Sequence, residues 1–197
     1  MKKIVIASSN PGKLRELEAL LEPLGLEAVA QGDLGVGEAD EPHETFLENA
    51  LAKARHASLL TGLPALADDS GLCVPALGGE PGVHSAYYAG REGAREERDA
   101  RNNARLVEQL ATLGDRSAFY CCVLVLMRSA VDPVPIVADG YWPGTILAAP
   151  RGHGGFGYDP HFLPQGSSLT AAELDASSKN RASHRGQALA KLALRLK

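Results

Sequence analysis

Four short stretches of this chain carry residue types whose spacing could do chemistry. The first is Ser8-Ser9-Asn10-Pro11-Gly12-Lys13, which interrupts an apolar run just before a helical pattern. A turn between strand and helix presents backbone N–H groups and the positive end of the helix dipole, which suits a phosphate. Lys13 adds a full charge, and Ser8, Ser9 and Asn10 add donors. The loop is not GxxxxGK[ST]; alone it reads equally as a capped turn with a solvated lysine. The second stretch is Asp68-Asp69-Ser70-Gly71, at the end of a short apolar run. Two successive acids are costly to desolvate unless a cation sits beside them, and carboxylates near phosphate are the usual ligand set for Mg²⁺. Alone, this is also an acidic turn closed by Ser-Gly.

Glu38, Asp40, Glu41 and Glu44 form a second acidic group. Most of these read as solvated loop charges, but one could complete a metal site. Lys53 follows Glu44 by two to three helical turns and could carry a cation to the same cleft, although a helix lysine is ordinarily a surface group. The third stretch is Gly152-His153-Gly154-Gly155-Phe156-Gly157-Tyr158-Asp159-Pro160. Its glycines let backbone approach a flat ligand, Phe156 or Tyr158 offers a stacking face, and Asp159 could accept from a base or sugar. A Gly-rich hairpin with inward aromatics is the plainer reading. The fourth is Ser178-Lys179-Asn180 with Ser183-His184-Arg185-Gly186, at the start of the last helical pattern. There the dipole attracts anions, and a capped basic helix start explains it as well.

The elements that must position these groups read as an α/β fold. Ile4 to Ala7 is a short buried strand, Leu14, Leu17, Leu21 and Leu24 recur at helical spacing, and Leu26 to Ala30 resumes as strand. This strand–loop–helix–strand opening predicts a right-handed crossover. Gly32 to His43 reads as loop, Thr45 to Leu60 as helix, and Pro64 to Ala67 as a strand stopping at the aspartates. A Gly/Pro-rich stretch from Gly78 to Gly93 precedes a charged helix over Ala94 to Leu113. In that helix, the mixed signs of Arg91 to Arg105 predict a solvated face. Phe119 to Met127 and Pro135 to Trp142 read as paired strands, and Arg181 to Leu196 as a closing helix.

Composition excludes several classes. The 197 residues are 45% hydrophobic and 22% charged, as in ordinary globular chains. Lys+Arg 20 against Asp+Glu 24 gives a net charge of −4, which argues against a nucleic-acid polymer as partner while allowing a small anion. Cys73, Cys121 and Cys122 suggest no disulfide framework; a reducing cytoplasmic setting is expected. No run approaches a membrane span, no zinc spacing occurs, and no GxSxG or Cys–His pair points to covalent catalysis.

Taken in order, the segments resemble the inosine-triphosphate pyrophosphatase family, the dITP/XTP pyrophosphatases. The matching pieces are Ala7 to Lys13, Glu41 with Thr45 to Ala50 and Lys53-Ala54, Ala67 to Leu72, Gly79 to Gly82, Gly154 to Pro160, and Lys179 with Ser183 to Gly186. Each is weak alone; six in order are specific. The resemblance implies one pyrophosphatase domain over residues 1–197, an elongated mixed β-sheet with flanking helices and two lobes around a central cleft, and a homodimer. It also implies Mg²⁺-dependent cleavage of ITP, dITP and XTP to monophosphate and pyrophosphate. By position, Ser8, Ser9, Asn10, Pro11, Gly12, Lys13 and Lys53 hold phosphates, while Glu41 and Asp69 bind metal. Asp69 accepts the proton of the attacking water, and Ser70 contacts substrate. Phe156, Gly157, Tyr158, Asp159, Lys179, His184 and Arg185 form the nucleoside pocket. Two departures stand out: Tyr87 occupies the place of the usual arginine after Ser85-Ala86, and Ser8-Ser9 replaces the common Thr-Gly. Two rivals are a pyrophosphatase for pyrimidine or modified nucleotides on a related fold, and a non-catalytic triphosphate sensor.

Overall fold

A computed structural model describes residues 2–196. In chain order the elements are β1 (Lys2–Ile6), α1 (Pro11–Leu21), β2 (Leu26–Ala30), α2 (Phe46–Thr61) and β3 (Ala65–Cys73). They continue with α3 (Arg95–Gln109), β4 (Ser117–Met127), β5 (Ile136–Ile146), β6 (Phe162–Pro164), α4 (Ala176–Ala182) and α5 (His184–Arg195). The strands form one sheet in the order β2-β1-β3-β4-β5-β6. β1 runs parallel to both β2 and β3, and β5 pairs antiparallel with β6, so the sheet is mixed. Among the described residues no helix is long and apolar enough to cross a membrane.

Local chemistry explains the opening elements. Ile4, Val5 and Ile6 are all buried, as expected for a strand covered on both faces. Asn10 caps α1, its side-chain oxygen accepting from the N–H groups of Gly12 at 2.9 Å and Lys13 at 3.2 Å, and Pro11 supplies a preset φ at the first helical position. Thr45 caps α2 through the Glu48 N–H at 3.2 Å and donates its hydroxyl to the Glu48 carboxylate at 2.6 Å.

The chain divides into two compact units: Met1–Asp69 with Cys122–Gly140 and Arg185–Lys197, and Ser70–Cys121 with Tyr141–His184. The first has its own core, in which Ile4, Ile6 and Leu66 pack with Leu17, Leu21, Leu124, Leu189 and Leu192. The second core gathers Leu72, Leu106, Leu110, Tyr120, Trp142, Tyr158 and Phe162. The chain passes from one unit to the other inside β3, β4 and β5 and at the start of α5.

Several boundaries differ from the sequence reading. β3 does not stop at Ala67 but runs through Asp68, Asp69, Ser70 and Gly71 to Cys73; the acids pair with cations there, which overrides their low strand propensity. The closing helix is two helices broken at Ser183, whose backbone is extended. β5 extends to Ile146, a short β6 stands where the sequence predicts no strand, and a 3-10 turn over Gln31–Leu34 opens the predicted loop. α3 ends at Gln109, short of Leu113.

Candidate active site

In the first unit, the site is built where β1 and β3 lie side by side. Ile6 pairs in register with Leu66, and the Ala7 N–H donates to the Leu66 carbonyl at 2.9 Å. The loop after β1 therefore begins beside the aspartates, which lie within β3 as it runs on past the end of β1. Since β1 lies between β2 and β3, the chain turns one way after β1 and the other way into β3. The carboxyl ends of such strands are where open α/β sheets bind ligands.

Successive strand residues face opposite sides, so Asp68 shares the side of Leu66 and Asp69 that of Ala67. Asp68 is fully enclosed and takes two cations. Lys13 Nζ from α1 lies 2.6 Å from Oδ1, and Arg185 Nε from α5 donates to Oδ2 at 2.7 Å. The Cys122 thiol donates to the same Oδ2 at 3.2 Å, and Arg185 also binds the Glu16 carboxylate. Burial pushes the Asp68 carboxyl up, but Arg185 and then Lys13 outweigh it and hold the group well below the usual carboxylate range. On the other side, Lys53 from α2 donates to Asp69 Oδ1 at 2.7 Å and lies 3.4 Å from a Glu41 oxygen. Burial raises the Asp69 carboxyl, with the Glu41 charge adding to it, against the opposing pull of Lys53 and Lys13. Burial also works against the charge of Lys53, yet Asp69 and Glu41 prevail and its pKa is raised.

Asp69 is 5% exposed, and its Oδ2 is buried with no hydrogen-bond partner among the described residues. A bare carboxylate oxygen at this depth is an acceptor placed for a proton or a cation. Among the described residues no three His, Cys, Asp or Glu side chains group as a metal cage. Mg²⁺ needs only one or two carboxylates beside substrate phosphates and water. Asp69 and Glu41, linked through Lys53, fit that donor set.

The 8–13 loop differs in detail from the sequence reading. The N–H groups of Gly12 and Lys13 are taken by the Asn10 cap, the Asn10 N–H is directed at Ser8 Oγ (3.2 Å), and Ser9 Oγ bonds the Glu38 carboxylate. Lys13 is not solvated but bound to Asp68.

The second unit positions the remaining candidates. Asp159, 3% exposed, accepts from Lys179 Nζ at 2.8 Å, from the Phe156 N–H at 2.8 Å and from the Tyr120 hydroxyl at 3.3 Å. Its carboxylate thus shapes its own loop. Phe156 stays half-buried, with Lys179 Nζ 4.9 Å and the Arg95 guanidinium 4.5 Å from its ring centroid. Tyr158 lies in the core and its hydroxyl donates to the Ser85 carbonyl at 2.9 Å. His184 stacks on Tyr120 with ring centroids 4.7 Å apart and planes 7° apart. Ser70 begins this unit. Arg185, also expected in the nucleoside pocket, belongs to the first unit, where it binds Asp68 and Glu16. At Tyr87, where the resemblance expects arginine, the Arg91 guanidinium lies 3.7 Å from the ring centroid.

Sequence reasoning missed Glu16, Cys122 and Tyr120, which bear no motif. It also missed α3, where Asp99 Oδ2 accepts from the Gly157 N–H at 2.8 Å and Asn103 Nδ2 donates to the Gly157 carbonyl at 2.9 Å. The four-residue spacing of Arg95, Asp99 and Asn103 was the available signal.

The Ham1 family model matches residues 4–194. A dITP/XTP pyrophosphatase of Burkholderia pseudomallei is 64% identical over 194 residues, covering 98% of this chain and 93% of that protein. One of Ralstonia nicotianae is 62% identical over 197 residues, covering 100% and 98%. Among solved structures, a HAM1 protein from Coxiella burnetii matches with a TM-score of 0.90 at 47% identity, covering 100% of this chain and 98% of that one. The Staphylococcus aureus Ham1 protein matches at 0.86 and 34% identity, covering 99% and 98%.

Proposed function

Because the chain belongs to the Ham1 family, we propose that it hydrolyses ITP, dITP and XTP to the monophosphate and pyrophosphate, removing deaminated purines from the nucleotide pool. The names of its relatives support the substrate class. One observation supports the chemistry above the others: Lys53 holds Asp69 by Oδ1 and leaves the buried Oδ2 bare, with Glu41 on the same lysine.

Asp69 is the proton acceptor in this reading. Water adds through its oxygen to the α-phosphorus, its proton passes to Asp69 Oδ2, and the bond from the α-phosphorus to the bridging oxygen breaks. That oxygen leaves with pyrophosphate, whose growing charge Lys13 and Lys53 stabilise. Glu41 and Asp69 would hold Mg²⁺, which when bound neutralises charge on the phosphate oxygens. Lys13 exchanges Asp68 for phosphate oxygen on binding, and Asp68 keeps Arg185. Ser8, Ser9 and Asn10 supply polar contacts to the phosphates.

We assign the nucleoside to Phe156, Gly157, Lys179 and His184, with Asp159 and Tyr158 shaping the loop. Hypoxanthine and xanthine offer a 6-keto acceptor where adenine offers an amino donor, so a donor at His184 is left unpaired by adenine. Arg185, beside its bonds to Asp68 and Glu16, is assigned with His184 to the 6-keto group. We further propose that residues 1–197 act as one domain, in a homodimer, in the cytoplasm, on a free nucleotide and not a nucleic-acid polymer.

Incubation with ITP and Mg²⁺ followed by product identification tests the reaction. IMP and pyrophosphate are expected, whereas IDP and orthophosphate would reject it. A panel of ITP, XTP, dUTP, dTTP, GTP and ATP separates purine from pyrimidine housekeeping.

A further inference from the structure

Helix α3 reads as a charged, solvated face, yet Arg95, Asp99 and Asn103 stand one helical turn apart and share a stripe. All three are directed at the Phe156–Gly157 segment. The Gly157 N–H is held by Asp99 Oδ2 at 2.8 Å and its carbonyl by Asn103 Nδ2 at 2.9 Å. Asn103 donates in addition to the Asp99 carbonyl at 2.7 Å, tying the two grips together. Arg95 Nε lies 3.8 Å from the Asp99 carboxylate, and its guanidinium lies near the Phe156 ring.

Gly157 sits at φ +63, a left-handed conformation, and both of its backbone polar groups are bound by side chains of one helix. On one flank Tyr158 is anchored in the core; on the other, the Phe156 N–H is held by Asp159. The backbone under Phe156 is therefore fixed at three consecutive residues while the ring itself remains half-buried. Polar side chains spent on immobilising a loop whose aromatic is not buried suit a surface that must be rigid before a flat ligand arrives.

We propose that Asp99 and Asn103 are positioning residues of the nucleoside subsite, holding Gly157 so that Phe156 is preset as the stacking platform for the base. This rests on the proposed function for the identity of the ligand. Neither side chain touches the reacting atoms, so their loss weakens nucleoside binding and spares chemistry and polyphosphate binding.

The test compares Asp99→Ala, Asn103→Ala and the conservative Asp99→Asn, which keeps an oxygen able to accept from Gly157. With ITP and Mg²⁺, each alanine variant should raise KM about tenfold, the scale of one hydrogen bond, with kcat within about twofold of wild type. Asp99→Asn should restore KM. Inhibition by inorganic tripolyphosphate, which lacks a nucleoside, should be unchanged throughout. A fall in kcat at constant KM, a parallel loss of tripolyphosphate inhibition, or no rescue by Asp99→Asn would overturn the proposal. Melting temperatures accompany each variant, and if the alanine proteins do not fold, Asn103→Ser is read in the same way. Should wild type release no pyrophosphate, the reaction assignment fails. Calorimetric binding of IMP, weaker in Asp99→Ala than in Asp99→Asn, then still decides the role of Asp99, and absent IMP binding to wild type overturns it.

Discussion

Replacing Asp69 with Asn keeps the side chain's volume and its bond to Lys53 while removing the group that takes the proton. Lys53 retains Glu41 at 3.4 Å, so the fold is expected to survive. Turnover of ITP is expected to fall by about 10²–10⁴, the range for loss of a general base, measured by pyrophosphate release beside the circular-dichroism melt of the same variant; near-normal turnover would remove Asp69 from its role. Asp68 calls for the opposite experiment. Its carboxyl sits below the usual range because Arg185 and Lys13 outweigh the burial that would raise it. The unfolded chain therefore binds the extra proton, and the stability Asp68 contributes is present above about pH 4 and lost as pH falls below it. In Asp68→Asn, Lys13 and Arg185 lose a buried partner, a loss of about 3 kcal/mol near neutrality, and the acid loss of stability should be shallower than in wild type. Urea midpoints of chelator-treated protein across that range check it; parallel curves would mean Asp68 is not the titrating group. The two acids share a motif, which residue types alone read either as a cation site or as an acidic turn. What separates them is the strand pleat, which sends one to Lys13 and Arg185 and the other to Lys53.

At the scale of elements, the order strand–helix–strand at the opening was legible because buried apolar runs and leucines at helical spacing are local signals. The course of β3 was not: Asp68, Asp69, Ser70 and Gly71 have turn chemistry, and only the cations supplied by α1, α2 and α5 make them strand. The break between α4 and α5 was hidden for a similar reason, since Ser183 is no obvious helix breaker, and the polar stripe of α3 was masked by the charges around it. The 155–159 loop was legible by its glycines, and one of them yields a sharp expectation. Gly155 lies at φ +72, and a Cβ there would come within 2.1 Å of Asp159 Oδ2. That oxygen cannot move away cheaply, because Lys179 and the Phe156 N–H both hold it at 2.8 Å. Gly155→Ala should therefore cost about 1–3 kcal/mol of stability and raise KM for ITP, whereas the isosteric strain is absent at Gly114, where a Cβ meets nothing within 4 Å. Equal urea midpoints for the two alanine variants would show that Asp159 yields.

For the whole molecule, the question is whether a divalent cation holds the fold or only serves the reaction. Each unit has its own apolar core, and the cysteines are free thiols, so stability rests on burial without covalent staples. The acids assigned to Mg²⁺ also already share a cation: Lys53 lies 2.7 Å from Asp69 and 3.4 Å from Glu41. An acidic site with its own internal cation does not need a metal to relieve charge repulsion, unlike a structural metal site whose ligands cannot fold together without it. Stripping divalent ions with a chelator should accordingly abolish ITP turnover, restorable by added Mg²⁺, while moving the melting temperature by no more than about 1 °C, well under 1 kcal/mol for a chain of this size. Adding Mg²⁺ together with a non-hydrolysed ITP analogue at about 100 times its Kd should instead raise stability by about 2.7 kcal/mol, because only the folded protein binds the pair. Turnover that persists in chelator would end the assignment of Glu41 and Asp69 to a metal. A large drop in melting temperature without metal would show that Lys53 does not offset their repulsion, and the cation would then belong to the fold as well as to the reaction.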